Sequence, residues 1–544
     1  MLAVAALIVA TGRTQQPSPT PAAPTRPTPP KLVVLIAVDQ FRADYVQTYG
    51  HQWTSGLARL VNQGAYFPLA EYPYGGTATC AGHMTIASGQ YPYATGIAGN
   101  TWYDREAKKV VTCTEDPSVT SVPFGGGPGA ERHSARYLNA PTFADELRAQ
   151  AIRAPRIVSI SLKARSAIGM VGHPGPGTMV IWEEDDGTWA TSSAFAAKPW
   201  PEVDEYAKAH LVSAAYGQSW TRLMPATSYL LADDGAGEPA QATFPHPLTS
   251  ATGKPDNAFV TLWERSPMSD AYIGDLAMTL AEKLQLGQRT GTDVLAIGFS
   301  ALDIVGHVFG PRSHEVQDVL ARLDRLIGRL LAKLDASVGP GRYVVALSSD
   351  HGVALIPQQA AALGMDSGRF SVLPAGEFRQ KLDAALVAAL GEGAHVANVS
   401  MPQVYLTPGA YDRLMAKPGA ARAVADALGT VKGVQSVYWA NELTSADATD
   451  DPVLRAYRLS YVPGRSGDLF VLPRPHWLTQ AAGTSHGTPY GYDQRVPVLF
   501  YGAGIRPGRY LGAASPADIA PTLAYLTGIT LARTDGRVVT EAVR

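Results

Sequence analysis

Cysteine is nearly absent from this chain of 544 residues, which has only Cys80 and Cys113. That scarcity excludes a cysteine-rich zinc module and a dense disulfide scaffold, leaving room for one bridge. Charge is sparse as well, at 17% of residues and a formal net of −2. No broad basic field is therefore available to hold nucleic acid or an anionic membrane, and any recognition of an anion must be local. Long apolar runs are missing too. Leu2 to Ala10, LAVAALIVA, is far too short to cross a bilayer, and no later stretch is long enough.

That first apolar stretch reads as the hydrophobic region of a signal peptide. It is followed by PSPTPAAPTRPTPP, Pro17 to Pro30, whose prolines favour an extended, solvated tether. Residues 1–30 are accordingly expected to be leader and linker, with a disordered cytosolic N-terminus as the alternative, and 31–544 the folded domain. An exported chain whose two cysteines lie on either side of Asn100 is expected to pair Cys80 with Cys113; two buried free thiols are the alternative.

With 46% hydrophobic residues, the chain can bury a large core. LVVLIAV before Asp39 is short, β-branched and bounded by prolines, which predicts a buried strand of a parallel sheet. PRIVSISL before Lys163, DVLAIGFS before Ala301, RYVVALSS before Asp350 and VPVLFYG ending at Gly502 repeat the signal. Leucines and valines at three- and four-residue spacing predict a helix from His314 to Leu334, and ADIAPTLAYL predicts another. The alternation predicts a layered α/β fold with a mostly parallel central sheet and helices on both faces. Two intervals rich in Gly, Pro and aromatic residues, about 174–290 and 356–484, read as insertions forming a cap.

In open α/β sheets, ligands bind outside the carboxyl ends of the strands. Polar chemistry follows the predicted strands directly. Asp303 and His307 are four residues apart, a spacing that lets both face one way on a helical turn; a capping aspartate with a surface histidine is the commoner alternative. Asp350 and His351 precede Gly352, which permits a sharp turn. His486 stands in GTSHGTPYGYD, and Asp39 ends its strand. Together these six supply the oxygen and nitrogen donors that two zinc-like ions need. Thr79, at the start of TCAGHMTIASG, is a nucleophile or an N-cap; beside zinc its hydroxyl could ionise.

At these residues the chain resembles the alkaline phosphatase superfamily, most closely the threonine-nucleophile, phosphate-irrepressible alkaline phosphatases of Gram-negative bacteria. The landmarks run in order through VDQFRADY, TATCAGHMTIASG, GIAGNTWYD, SLKARSAIG, LDIVGH, SDHG and SHGTP. The resemblance implies two Zn2+ per chain, one held by Asp303, His307 and His486 and the other by Asp39, Thr79, Asp350 and His351. It implies hydrolysis of small-molecule phosphate monoesters through a phosphothreonine at Thr79, with secondary phosphodiesterase activity. Asn100, Lys163 and Arg165 are expected to hold the terminal phosphate, Lys163 and Arg165 sharing one face of an extended segment; a solvated basic pair is the alternative. A sulfatase would need C-x-P-x-R, whereas AGHM follows Cys80. The expected protein is a periplasmic or secreted monomer without a membrane span or nucleic-acid surface. A phosphodiesterase or nucleotide pyrophosphatase of the same superfamily, or a non-catalytic metal- and phosphate-binding protein, remains the competing reading.

Overall fold

The computed structural model describes residues 28–239 and 242–544. The signal-like segment, and all but the last residues of the proline-rich linker, lie outside the described residues.

Leu32–Val38 forms a strand in which all seven residues are buried. Its side chains alternate between two cores, as the period of two demands. Leu32, Val34, Ile36 and Val38 enter one cluster with Leu57, Ile273, Val305 and Leu330, while Val33, Leu35 and Ala37 enter another with Met84, Leu147, Ile168 and Leu523. Helices Gly56–Gln63, Pro267–Lys283, Ala301–Phe309 and His314–Ser337 thus cover one face. Thr79–Ser88, Phe143–Gln150, Ala164–Gly169 and Ile519–Thr527 cover the other. A strand covered on both sides needs apolar residues at every position, and for that reason this one reads as an unbroken apolar run.

The sheet has ten strands, with five parallel ones at its centre in the order Tyr343–Ser348, Leu32–Val38, Asp293–Phe299, Ile157–Ser161, Thr178–Glu183. Leu32 pairs with Asp293, and Val38 with Phe299. The predicted strand ending at Gly502 is present as Val498–Gly502 but runs antiparallel to Tyr343–Ser348. It lies on the outer side of the parallel block, where no crossover helix dictates direction.

The two intervals read as cap behave differently. Within 174–290, Thr178–Glu183 and Trp189–Ser192 extend the main sheet, and Pro267–Lys283 packs in the main core. Within 356–484, the strands Val396–Ser400, Gln403–Leu406, Leu469–Pro473 and Val434–Trp439 form a separate four-stranded antiparallel sheet in that order. Glu377–Leu390 and Ala420–Gly429 cover it, and Phe378, Leu386, Val404, Leu428 and Val471 share a core of their own.

Candidate active site

Because the central strands are parallel, the residues that follow them gather at one edge. Asp39 comes directly after Leu32–Val38, Lys163 two residues after Ile157–Ser161, and Asp350 two residues after Tyr343–Ser348. Asp303 lies in the first turn of Ala301–Phe309, with His307 one turn on. The His307 Nε2 to Asp303 Oδ1 distance is 3.1 Å, so the four-residue spacing acts on a helix. His486 arrives from the far loop. Ligand atoms of Asp303, His307 and His486 lie within 4.8 Å of one another, and so do those of Asp39, Asp303 and His351. Asp350 Oδ2 is 3.4 Å from His351 Nε2. Six expected donors therefore converge, with Asp303 between the two groups.

The donor chemistry fits divalent cations. His307, His351 and His486 each place Nδ1 against a backbone carbonyl, that of Thr484 at 2.8 Å, Gly352 at 2.9 Å and Thr77 at 2.7 Å. A carbonyl only accepts, so each ring carries a proton on Nδ1. His351 and His486 can then present an Nε2 lone pair, whereas His307 Nε2 meets Asp303 Oδ1, which raises the His307 pKa against burial. Asp39 Oδ1, Asp350 Oδ2 and His351 Nε2 are buried and make no hydrogen bond among the described residues. Buried polar atoms without partners are costly, which is the expected signature of atoms aimed at a cation.

Charge is strongly perturbed here. Burial, and then the charges of Asp303 and Asp350, push the Asp39 carboxyl well up. Burial also opposes ionisation of Asp303, but Lys163 and His307 outweigh it and hold that carboxyl well below its ordinary range. Asp350 is likewise held down, by His351 and His83 against burial. Burial lowers His351, and burial with the neighbouring His351 and His307 takes His486 well below the ordinary histidine value. Imidazoles kept neutral in this way are the ligating form.

Thr79 is the first residue of Thr79–Ser88; Ala78, in an extended conformation, occupies the N-cap. The capping alternative for Thr79 is thereby set aside. Asn100 donates its Nδ2 toward Thr79 Oγ1 at 3.5 Å and accepts the Cys80 N–H at 2.8 Å. Cys80 and Cys113 are joined in a disulfide. Cys113 in turn donates its N–H to the Asn100 carbonyl at 2.9 Å, so the bridge ties the Thr79 helix to the Asn100 segment.

Lys163 and Arg165 differ from the extended pair expected. Lys163 is extended at the N-cap, whereas Arg165 lies inside Ala164–Gly169, because the backbone turns helical between them. Lys163 Nζ donates to Asp39 Oδ2 and Asp303 Oδ2, both at 2.5 Å. Burial works against its ammonium, but Asp303 and Asp39 hold its pKa above the ordinary lysine value. Arg165 keeps a buried Nε that makes no hydrogen bond among the described residues.

Two contributors were not singled out from the sequence. Gln40, with φ of 66°, donates its N–H to Asp350 Oδ1 at 3.1 Å and its Nε2 to Asp303 Oδ1 at 2.7 Å. A Cβ on Gly306 would meet the Gln40 Oε1 at 1.9 Å, so a side chain at that helix position would have to displace the Gln40 amide. His83, fully buried, sets Nδ1 2.9 Å from the Thr79 carbonyl and 3.3 Å from Asp350 Oδ2. The i, i+4 spacing from Thr79 and adjacency to Asp39 were the available signals; neither indicates a long-range partner.

With this geometry in view, comparisons with known proteins place it. Residues 33–493 match the model of the family described as type I phosphodiesterase / nucleotide pyrophosphatase. Alkaline phosphatase PhoK of Sphingomonas sp. is 31% identical over 540 residues, covering 94% of this chain and 91% of its own. A Myroides odoratus protein named calcium-transporting ATPase is 31% identical over 517 residues, covering 92% of each. A crystal structure of wild-type alkaline phosphatase PafA superposes with a TM-score of 0.87 at 29% identity, covering 95% of this chain and 99% of that one.

Proposed function

Since the chain belongs to the type I phosphodiesterase / nucleotide pyrophosphatase family, we propose that it is an alkaline phosphatase that hydrolyses phosphate monoesters through Thr79. The observation carrying this reading is the convergence of His307, His351 and His486 with Asp39, Asp303 and Asp350, a cluster that His83 links to the Thr79 backbone while Asn100 is trained on the Thr79 hydroxyl. PhoK and PafA both bear the name alkaline phosphatase, which supports this reading.

Asp303, His307 and His486 would hold one zinc ion, and Asp39, Asp350, His351 and Thr79 the other. Such a pair supplies Lewis-acid stabilisation and lowers the pKa of a coordinated hydroxyl. The Thr79 oxygen gives up its proton and attacks phosphorus while the ester P–O bond breaks and the leaving oxygen takes up a proton, forming a phosphothreonine. Water then attacks the phosphorus, breaking the Thr79 O–P bond to release inorganic phosphate and returning a proton to the Thr79 oxygen. Asn100 and Arg165 bind non-bridging oxygens, which a monoester offers with more charge than a diester. Lys163 joins them and also balances the carboxylates of Asp39 and Asp303. Diesters are secondary substrates. The protein acts as a monomer in the periplasm or outside the cell.

The test compares an aryl phosphate monoester with an aryl phosphate diester, with chelator and after zinc is restored. Chelator-sensitive turnover favouring the monoester is expected. Preference for the diester at confirmed zinc occupancy would make the protein a phosphodiesterase, and no turnover of either would leave a binding protein.

A further inference from the structure

The loops carrying His351 and His486 share one support, the short helix Gly491–Gln494. Asp493 within it is completely buried. Its Oδ2 accepts the Thr488 N–H at 2.9 Å and the Thr488 hydroxyl at 2.5 Å, two residues beyond His486. Its own carbonyl accepts the N–H of Gly352 at 2.7 Å, the residue after His351. The contact with Gly352 is tight, since a Cβ there would lie 2.1 Å from the Tyr492 carbonyl. The same stretch reaches the Asp39 loop, where Ala43 donates its N–H to the Arg495 carbonyl at 3.1 Å.

The His351 and His486 rings stack, with centroids 3.4 Å apart and planes 14° from parallel. Their Nδ1 bonds to carbonyls choose the tautomer but do not set how far one loop stands from the other. Gly487, between His486 and Thr488, has φ of 113° and open space where a side chain would be, so packing there does not hold the loop. Before His486 the loop is tied to the His351 loop directly, Ala354 donating its N–H to the Ser485 carbonyl at 3.2 Å and accepting the Thr484 hydroxyl at 2.8 Å. Beyond His486 the Thr488 clasp on Asp493 refers it to the residue that fixes the backbone beside His351.

We infer that Asp493 is a positioning residue that holds His486 in register with His351 for binding divalent metal. The inference rests on the proposed metal site. Outer partners of this kind change metal affinity or activity by roughly 10- to 100-fold when lost.

The experiment uses full-length wild type, Asp493→Ala, Asp493→Asn and Thr488→Val, each loaded with Co2+. Three quantities are read: the visible absorption of the bound cobalt, the half-time of metal loss to a chelator well below the melting temperature, and the thermal midpoint of the metal-free chain. Asp493→Ala and Thr488→Val should lose cobalt about 10- to 100-fold faster with altered absorption bands. Thr488→Val, which keeps the side-chain shape, should keep a near-wild-type metal-free midpoint. Asp493→Asn retains an oxygen that can accept both the Thr488 N–H and the Thr488 hydroxyl, and should recover most of the retention. Wild-type retention and spectra in Asp493→Ala and Thr488→Val would overturn the inference alone, as would faster loss only in step with a lower metal-free midpoint. Failure of the wild type to take up Co2+ would overturn the metal-site reading, and this inference with it.

Discussion

Thr79 carries one oxygen among several donors, so removing it separates chemistry from metal binding. Thr79→Ala should keep its metal content, measured by elemental analysis, and lose turnover by several orders of magnitude; near-wild-type turnover would remove Thr79 as nucleophile. Arg165 is the cleaner test of phosphate recognition. Lys163 is bonded to Asp39 and Asp303, so its loss unbalances buried carboxylates as well as any substrate contact. A charge-assisted hydrogen bond contributes about 1.5–3 kcal/mol, or roughly 10- to 150-fold. Arg165→Ala should therefore lower monoester kcat/KM by that factor and diester kcat/KM by much less. Equal losses for the two substrates would mean that Arg165 serves site geometry.

Among the elements, the Cys80–Cys113 bridge closes a separation of 33 residues and joins the Thr79 helix to the Asn100 segment. Loop-closure entropy assigns such a bridge about 3–4 kcal/mol. Cys80→Ala/Cys113→Ala should lower stability in a denaturant titration and raise monoester KM as Asn100 loses its anchor; unchanged stability and KM would show the bridge to be dispensable. Helix Phe143–Gln150 supplies a pH test. Asp145 completes its capping box with Thr142 and also meets His173 Nδ1 at 3.0 Å, while His173 Nε2 lies 3.0 Å from the Leu138 carbonyl. Two acceptors require both ring nitrogens to donate, so the protonated ring fits best. The hydrogen bond that His173 donates to Asp145 raises the His173 pKa against burial. The raised folded-state pKa means that this stabilisation is complete below about 6.5, the ordinary histidine value, and is lost as pH rises through the folded value. Wild type should lose more thermal midpoint than His173→Gln between mildly acidic and mildly alkaline pH; parallel profiles would refute the assignment.

At the scale of the whole molecule, the site joins four parallel strand ends to the His486 loop, so metal should stabilise the entire fold. Ligand at about 100 times its Kd contributes about 2.7 kcal/mol per site. Chelation should lower the thermal midpoint by a few degrees, with recovery on adding Zn2+. Coincident melting of chelated and zinc-loaded protein would mean that the site binds no metal of consequence. Among the described residues, no helix is long and apolar enough to cross a membrane.

The central strands, the long helix and the placement of Asp39, Lys163, Asp303 and Asp350 at strand ends were legible because a strand buried on both faces must be apolar throughout, and the polar residue ending it stands out. The i, i+4 pairing of Asp303 with His307 was legible for the same local reason. Other features depend on contacts far apart in the chain. The antiparallel direction of Val498–Gly502 and the entry of 178–183 into the main sheet follow from neighbouring strands, and side-chain alternation does not encode neighbours. Gln40 reaches Asp303, 263 residues away, and Asp493 gathers loops that its own sequence does not mark. Sequence by itself determined the layered fold and named the candidate donor residues, since burial and ligand chemistry act through residue type. Tertiary structure alone decided which imidazole nitrogen faces inward, that Lys163 bridges two carboxylates, and what holds His486 against His351, because each is a matter of distances between loops.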